Sequence, residues 1–188
     1  MRILLIDNYD SFTYNLVHLF EKNPALEVDV FRPDSISADV ADAYSKIVFS
    51  PGPGHPSEYP LMQEILKRQK NNQSILGVCL GFQAIGVFFN ANLKNPDQVF
   101  HGIKTEVIIK NPNLLFDGIP SPFMAGRYHS LGFLGNDVVL PLEILATDRQ
   151  GFVMAFKHIS KKITGVQFHP ESILSDYGEK LVNNWLDL

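Results

Sequence analysis

The segment SILGVCLGFQAIGVFF, residues 74–89, carries the strongest indication of the fold in this chain. It opens with an apolar run over residues 74–78 that is typical of a strand buried on both faces. A helical pattern follows over residues 83–89, directly after the turn sequence GVCLG at residues 77–81. A strand that passes at once into a helix is half of a βαβ unit, so this segment predicts an α/β fold.

The same alternation extends toward the N-terminus. The pattern predicts further strands at residues 3–6, 28–31 and 46–49, and helices at residues 11–21 and 61–70. Parallel strands joined through helices need crossover connections. We therefore expect a doubly wound, mostly parallel sheet that is covered by helices on both faces.

The C-terminal half has a different pattern. Strands predicted at residues 106–110, 151–157 and 162–168 are joined by turns, which indicates a small antiparallel extension or flanking sheet. A final amphipathic helix is predicted over residues 172–187, with an apolar side formed by Ile173, Leu174, Tyr177, Leu181, Val182 and Trp185. No repeat, low-complexity tract or Gly/Ser linker interrupts the chain, so we expect a single domain over residues 1–188.

Composition narrows the class of protein. The 188 residues include 16 Lys and Arg against 20 Asp and Glu, which gives a net charge of −4, and the mean hydropathy is +0.01. This balance argues against a nucleic-acid groove or a membrane-binding surface, because both need clustered positive charge. A single cysteine cannot form an internal disulfide, and no apolar run is long enough to cross a bilayer. We expect a soluble cytoplasmic protein.

Cys79 lies at the centre of the pattern Gly-x-Cys-x-Gly, the thiol form of a nucleophile elbow. A nucleophile on such a tight turn has a strained backbone, and larger side chains at Gly77 and Gly81 would collide. The N-terminus of the following helix favours a thiolate, and the N–H of Leu80 is placed to bind an oxyanion. The alternative is a buried cysteine that serves only as a small apolar side chain.

A cysteine nucleophile needs a neighbouring base. His169 ends an apolar strand and precedes Pro170, which places it at the edge of the sheet. Glu171 is close enough in sequence to orient the imidazole, so these side chains and Cys79 are predicted to form a Cys-His-Glu triad. The alternative is a surface histidine followed by an acid at the start of a helix.

The sequence Ser-Pro-Gly-Pro-Gly at residues 50–54 follows another predicted strand. Glycines held between prolines form a rigid loop whose N–H groups can face a carbonyl or an anion, although a plain turn is the alternative. At the same sheet edge as Cys79, this loop is a candidate second oxyanion donor. The histidines and the lone cysteine lack metal-ligand spacing, so no metal site is predicted.

Five segments together resemble a known family. LLIDNYDSFTYNL (4–16), SPGPG (50–54), GVCLGFQAIG (77–86), RYHSL (127–131) and GVQFHPES (165–172) are similar, in this order, to the motifs of class I glutamine amidotransferases. The resemblance spans nearly the whole chain. The first motif is similar to that of the chorismate-linked branch, which comprises component II of anthranilate synthase and the amidotransferase subunit of aminodeoxychorismate synthase.

The resemblance implies a role for each matching residue. Cys79 would attack the side-chain amide of L-glutamine and form a thioester. His169 would take and return protons, and Glu171 would hold His169. The oxyanion and the remainder of the substrate would be held by Gly52, Pro53, Gly54, Leu80, Gln83, Ser130 and Leu131.

The resemblance also implies a partner. The ammonia would be used by a chorismate-binding synthase subunit, for which a chain of this length has no room, and we expect that subunit to gate the activity. No cofactor is expected in this chain, and Mg²⁺ is expected on the synthase. Anthranilate synthase in tryptophan biosynthesis is the first assignment. Aminodeoxychorismate synthase in folate biosynthesis, or one subunit shared by both, is the alternative.

Two other classes of protein use some of the same features. An esterase or cysteine peptidase with this elbow would account for Cys79, but it gives no role to residues 8–16 or 127–131. A non-catalytic binding subunit would have no need of an intact triad. The chain also departs from the family at residues 88–92, where a glycine pair is usual, and at residues 101–105, which carry an extra residue. Altered loops are expected at both places.

Overall fold

The computed structural model describes residues 1–95 and 100–188. Within this part of the chain, nine strands form one sheet in the order β2-β1-β3-β4-β9-β8-β7-β5-β6. The strands are β1 (Arg2–Ile6), β2 (Glu27–Phe31), β3 (Lys46–Phe49), β4 (Ser74–Val78), β5 (Ile103–Ile109), β6 (Phe123–Arg127), β7 (Leu142–Thr147), β8 (Val153–His158) and β9 (Ile163–Val166). The helices are α1 (Thr13–Glu21), α2 (Pro60–Arg68), α3 (Leu80–Phe88) and α4 (Gly178–Leu186).

The strands β2, β1, β3, β4 and β9 pair in parallel and form the doubly wound part of the sheet. Successive side chains of a strand point to opposite faces, so β1 contributes to two cores. Ile3 and Leu5 pack with α1 and α4 on one face, whereas Leu4 and Ile6 pack with α2 and α3 on the other. The predicted fold class is therefore confirmed.

The strands β8, β7, β5 and β6 continue the sheet beyond β9 in antiparallel pairs. The strand predicted at residues 162–168 is β9, which joins the two parts because it pairs in parallel with β4 and antiparallel with β8. The sequence pattern misses β6 and β7. β6 contains Gly126 and the fully buried Arg127, which no strand propensity favours, and β7 has an irregular register.

The prediction for the last helix is wrong at its start, since α4 begins at Gly178 rather than at residue 172. Ile173, expected on the buried apolar side of the helix, is 98% exposed. Tertiary contacts hold the preceding segment out of helical geometry: the Ser175 hydroxyl donates to the His169 carbonyl at 2.6 Å, and the Asp176 N–H to the Met124 carbonyl at 3.0 Å. The apolar residues at helical spacing before residue 178 therefore do not belong to a continuous helix.

The departure at residues 88–92 has a local explanation, and residues 101–105 include a glycine with positive φ. Asn90, with φ +65°, directly follows the C-cap residue of α3, and the Ala91 N–H donates to the Gly86 carbonyl at 2.9 Å. Asparagine thereby occupies the left-handed cap position that glycine usually takes. Gly102, with φ +68°, leads into β5. Among the described residues, no helix has the length and apolarity needed to cross a membrane.

Candidate active site

Cys79 lies between β4 and α3 on a strained turn. Its backbone has φ 52° and ψ −101°, a conformation that residues other than glycine rarely adopt. A Cβ on Gly77 would lie 2.5 Å from the Gly81 backbone, and a Cβ on Gly81 would lie 2.5 Å from the Phe49 carbonyl oxygen. Both glycines are therefore required for β4, α3 and β3 to approach so closely, as the elbow pattern predicts.

His169 and Glu171 form a buried pair beside the elbow. Nδ1 of His169 lies 2.6 Å from Oε1 of Glu171, and their side chains are 3% and 0% exposed. Nε2 of His169 has no hydrogen-bond partner within the described residues. His169 and Cys79 both line a cavity of about 320 Å³, the entrance cavity. The structure thus brings the three predicted triad residues together.

The electrostatics of this group favour a charged imidazole. Burial by itself would lower the pKa of His169, but the interactions of the ring with Cys79 and Glu171 outweigh it and raise that pKa well above 6.5. A protonated His169 beside a thiolate is the arrangement that a cysteine nucleophile and its proton donor require.

A second, smaller cavity of about 180 Å³ also has Cys79 in its wall, and we name it the substrate cavity after the residues predicted to bind substrate. Its other lining residues are Gly52, Pro53, Gly54, Gln83, Tyr128, His129, Ser130 and Leu131. Most predicted binding residues therefore meet at one place. Leu80 lines neither cavity, since its side chain is buried beneath Gly52, whose Cβ would lie 2.6 Å from the Leu80 side chain.

The loop at residues 50–54 is supported by the N-terminal motif. The buried Asn8 donates two hydrogen bonds to this loop: its N–H to Oγ of Ser50 at 2.9 Å and its Nδ2 to the Ser50 carbonyl at 3.0 Å. A Cβ on Gly52 would lie 2.6 Å from the Asn8 carbonyl oxygen. Tyr59 donates its hydroxyl proton to the Pro53 carbonyl at 2.9 Å. These contacts fix the loop against the elbow.

Gln167 is a site residue that sequence reasoning missed. Its Nε2 lies 3.6 Å from Sγ of Cys79, and its Oε1 accepts from Nε2 of Gln83 at 3.2 Å. Gln83 also donates to the Leu131 carbonyl at 2.9 Å. The available signal is spacing, because Gln167 lies two residues before His169 at the end of the predicted strand, and alternate residues of a strand share a face.

Aromatic side chains surround the imidazole of His169. The ring of Tyr128 lies 4.9 Å from it in an edge-to-face arrangement, and the ring of Phe12 lies 6.4 Å away. Phe12 and Tyr128 both line the entrance cavity. The described residues include no group of three or more His, Cys, Asp or Glu side chains suited to a metal ion.

The chain matches a family model described as glutamine amidotransferase class-I over residues 4–188. It is 42% identical to anthranilate synthase component 2 of Cyanidium caldarium over 99% of this chain and 98% of that protein. It is 38% identical to the aminodeoxychorismate/anthranilate synthase component 2 of Bacillus subtilis, over 98% of this chain and 95% of that protein. The crystal structure of a candidate GMP synthase protein from Thermoplasma acidophilum has the same fold, with a TM-score of 0.88, 23% identity and coverage of 100% of this chain and 92% of that one.

Proposed function

Since the chain belongs to the class I glutamine amidotransferases, we propose that it hydrolyses L-glutamine and supplies the ammonia to a chorismate-using synthase. The names of the relatives from C. caldarium and B. subtilis support this branch. Anthranilate synthase, in tryptophan biosynthesis, is the first assignment. The B. subtilis name covers both synthases, which supports the alternative of aminodeoxychorismate synthase in folate biosynthesis, or of one shared subunit.

In the proposed first step, the thiolate of Cys79 attacks the side-chain carbonyl carbon of glutamine, and the carbonyl electrons move to oxygen. The N–H of Leu80 and those of the loop at residues 52–54 stabilise this oxyanion. His169 gives the proton on Nε2 to the amide nitrogen. The C–N bond then breaks, ammonia leaves, and a γ-glutamyl thioester remains on Cys79.

In the second step, neutral His169 accepts a proton from water through Nε2, and the hydroxide attacks the thioester carbonyl. The C–S bond breaks, glutamate leaves, and the thiolate of Cys79 and the imidazolium are restored. Glu171 holds the ring through Nδ1 and stabilises its positive charge in the resting state. The balance is one glutamine and one water to one glutamate and one ammonia, with no cofactor in this chain.

The observation that carries the proposal is the state of His169. It is a buried imidazole whose Nδ1 is bound to Glu171, while Nε2 has no partner among the described residues and the ring lines a cavity with Cys79. A buried polar atom without a partner is costly in a structural residue, but it is needed in one that passes a proton to a substrate.

The synthase, with its Mg²⁺, is proposed to contact the face around the entrance cavity. Tyr9 and Phe12 line this cavity and are 47% and 39% exposed, although both are large apolar side chains. Ile173, which is 98% exposed, lies near the same cavity. The preceding residue, Ser172, has its hydroxyl 3.0 Å from that of Tyr128, which lines the cavity. Exposed apolar groups that surround a site are typical of a docking surface. A cytoplasmic location belongs to the same proposal.

The test uses glutamine labelled with ¹⁵N at the amide. The chain is mixed with the chorismate-binding synthase subunits of its own organism, chorismate and Mg²⁺, and products are analysed by mass spectrometry. Label in anthranilate supports the first assignment, and label in aminodeoxychorismate, alone or as well, supports the alternative. Absence of label from both products, with Cys79→Ala indistinguishable from the wild type in glutamate release, would overturn the proposal.

A further inference from the structure

The loop after β6 forms one wall of the substrate cavity. Ser130 and Leu131 lie in this loop and line the cavity with Cys79 and Gln83. Their backbone N–H groups donate to no acceptor in the described part of the chain, so they are free to bind a ligand. Loops are usually the more mobile parts of a fold, and a binding site made of loop amides needs a device that fixes them.

The Leu131 carbonyl oxygen is fixed by two donors. It accepts from Nδ1 of His129 at 2.6 Å and from Nε2 of Gln83 at 2.9 Å, which occupies both of its lone pairs. The next amide, that of Gly132, donates to the Lys94 carbonyl at 2.9 Å. The peptide group that follows Leu131 is therefore held at both its oxygen and its nitrogen.

His129 can act in only one protonation state. Nε2 lies 3.0 Å from Nε of Arg127, and because a guanidinium has only donors, Nε2 must accept. The single proton of the ring is then on Nδ1, which donates it to Leu131. Burial, together with the charge of Arg127, lowers the pKa of His129 to about 3, which keeps this neutral tautomer at physiological pH.

Arg127 is itself held in place by buried partners. Its Nη1 lies 2.6 Å from Oδ2 of Asp148, and the two side chains are 0% and 2% exposed. Oδ1 of Asp148 accepts from the N–H groups of Gln150 and Phe152 at 2.9 and 2.8 Å. The guanidinium carbon also lies 3.4 Å from the centre of the Phe100 ring. A buried ion pair contributes little net stability, so its value here lies in fixing one geometry.

We propose that Asp148, Arg127 and His129 are positioning residues, which align the Leu131 carbonyl and thereby present the Ser130 and Leu131 amides to the glutamine substrate. The inference rests on the proposed function. It adds a chain of hydrogen bonds that extends from a turn after β7 to the substrate cavity. Within the described residues, none of the three side chains has a hydrogen bond to Cys79, His169 or Glu171.

Two substitutions of His129 separate positioning from stability. The amide nitrogen of asparagine occupies the place of Nδ1, so His129→Asn keeps the donor to Leu131 but loses the acceptor for Arg127. The amide of glutamine reaches the place of Nε2, so His129→Gln keeps the acceptor but loses the donor. His129→Ala loses both. Steady-state glutamine hydrolysis is measured with the synthase partner, together with urea unfolding and the rate at which iodoacetamide alkylates Cys79.

We expect the KM for glutamine to rise roughly tenfold in His129→Gln and His129→Ala, and to stay within about threefold in His129→Asn. Alkylation of Cys79 by iodoacetamide, a small electrophile that does not need the loop amides, should be unchanged in all three. The proposal would be overturned if KM rose in proportion to the loss of stability, with the KM of His129→Asn as high as that of His129→Ala. It would also be overturned if KM did not change in any of the three variants. A wild type that releases no glutamate would instead contradict the proposed function.

Discussion

Two buried histidines, His169 and His129, lie in the walls of the two cavities that share Cys79. They are 3% and 6% exposed, yet their electrostatics are opposite. His169 lies beside Glu171 and Cys79, which outweigh its burial and raise its pKa well above 6.5. Burial of His129, reinforced by the charge of Arg127, lowers its pKa to about 3. Burial lowers the pKa of both rings, but the partners of His169 outweigh it whereas Arg127 adds to it, so one ring carries a proton and the other only orients a carbonyl.

The largest expected difference between the two is in catalysis. His169→Asn removes the proposed proton carrier, so kcat for glutamine hydrolysis should fall roughly 10³-fold or more. His129→Asn, which keeps the donor to Leu131, should change kcat by less than about fivefold. Glutamate release with the synthase partner measures both. Equal losses of kcat in the two variants would show that the contrast between the cavities is incorrect.

Asp148, the acidic partner of Arg127, and Glu171, the acidic partner of His169, should differ in how much they contribute to the free energy of unfolding. Asp148→Asn leaves a buried guanidinium that cannot lose its proton, so the fold should lose about 3–5 kcal/mol. Glu171→Gln leaves an imidazole that can become neutral, and the loss should be about 1–2 kcal/mol. Urea unfolding at neutral pH gives both values. A larger loss for Glu171→Gln than for Asp148→Asn would contradict this account.

The two histidines should make stability depend on pH in opposite directions. Between pH 6.5 and about 3, the unfolded chain protonates His129 but the folded chain does not, so stability falls as the pH falls through this window. His169 contributes stability that is complete below its unfolded pKa near 6.5 and is lost as the pH rises through its raised folded value.

Urea unfolding of matched variants between about pH 4 and pH 9 checks these signs. In His129→Asn, the free energy of unfolding should fall less steeply than in the wild type as the pH decreases. In His169→Asn, it should fall less steeply as the pH increases. A single variant that flattens both sides, or one that steepens either, would disagree with the assigned partners.

The smallest expected effect is at Gln167, which lies beside Cys79 and connects it to Gln83. Gln167→Leu removes one weak donor to sulfur at 3.6 Å and the acceptor for Gln83. The rate of Cys79 alkylation should therefore change by roughly two- to tenfold, with the site still assembled. Loss of all alkylation would contradict this prediction, because it would mean that the thiolate cannot form without Gln167.

The predictable parts of the fold are those built from local pattern. Residues 46–49 and 74–78 are strands with the predicted bounds, because short, continuous apolar runs between turns leave few alternatives. β6 and β7 could not be predicted in the same way, since their stability comes from antiparallel partners distant in sequence. The start of α4 likewise depends on a contact distant in sequence, because the Asp176 N–H donates to the Met124 carbonyl and holds the preceding segment out of the helix.

The candidate site divides along the same line. By itself the sequence determined the elbow at Cys79, with Gly77 and Gly81, and the pairing of His169 with Glu171, because sterics and short spacing act within a few residues. Only the tertiary structure decided that Gln167 reaches the sulfur, and that Arg127, whose local sequence carries no such signal, lies between Asp148 and His129. The protonation state of each histidine belongs to the second group, because a pKa depends on burial and on charges that only folding brings together.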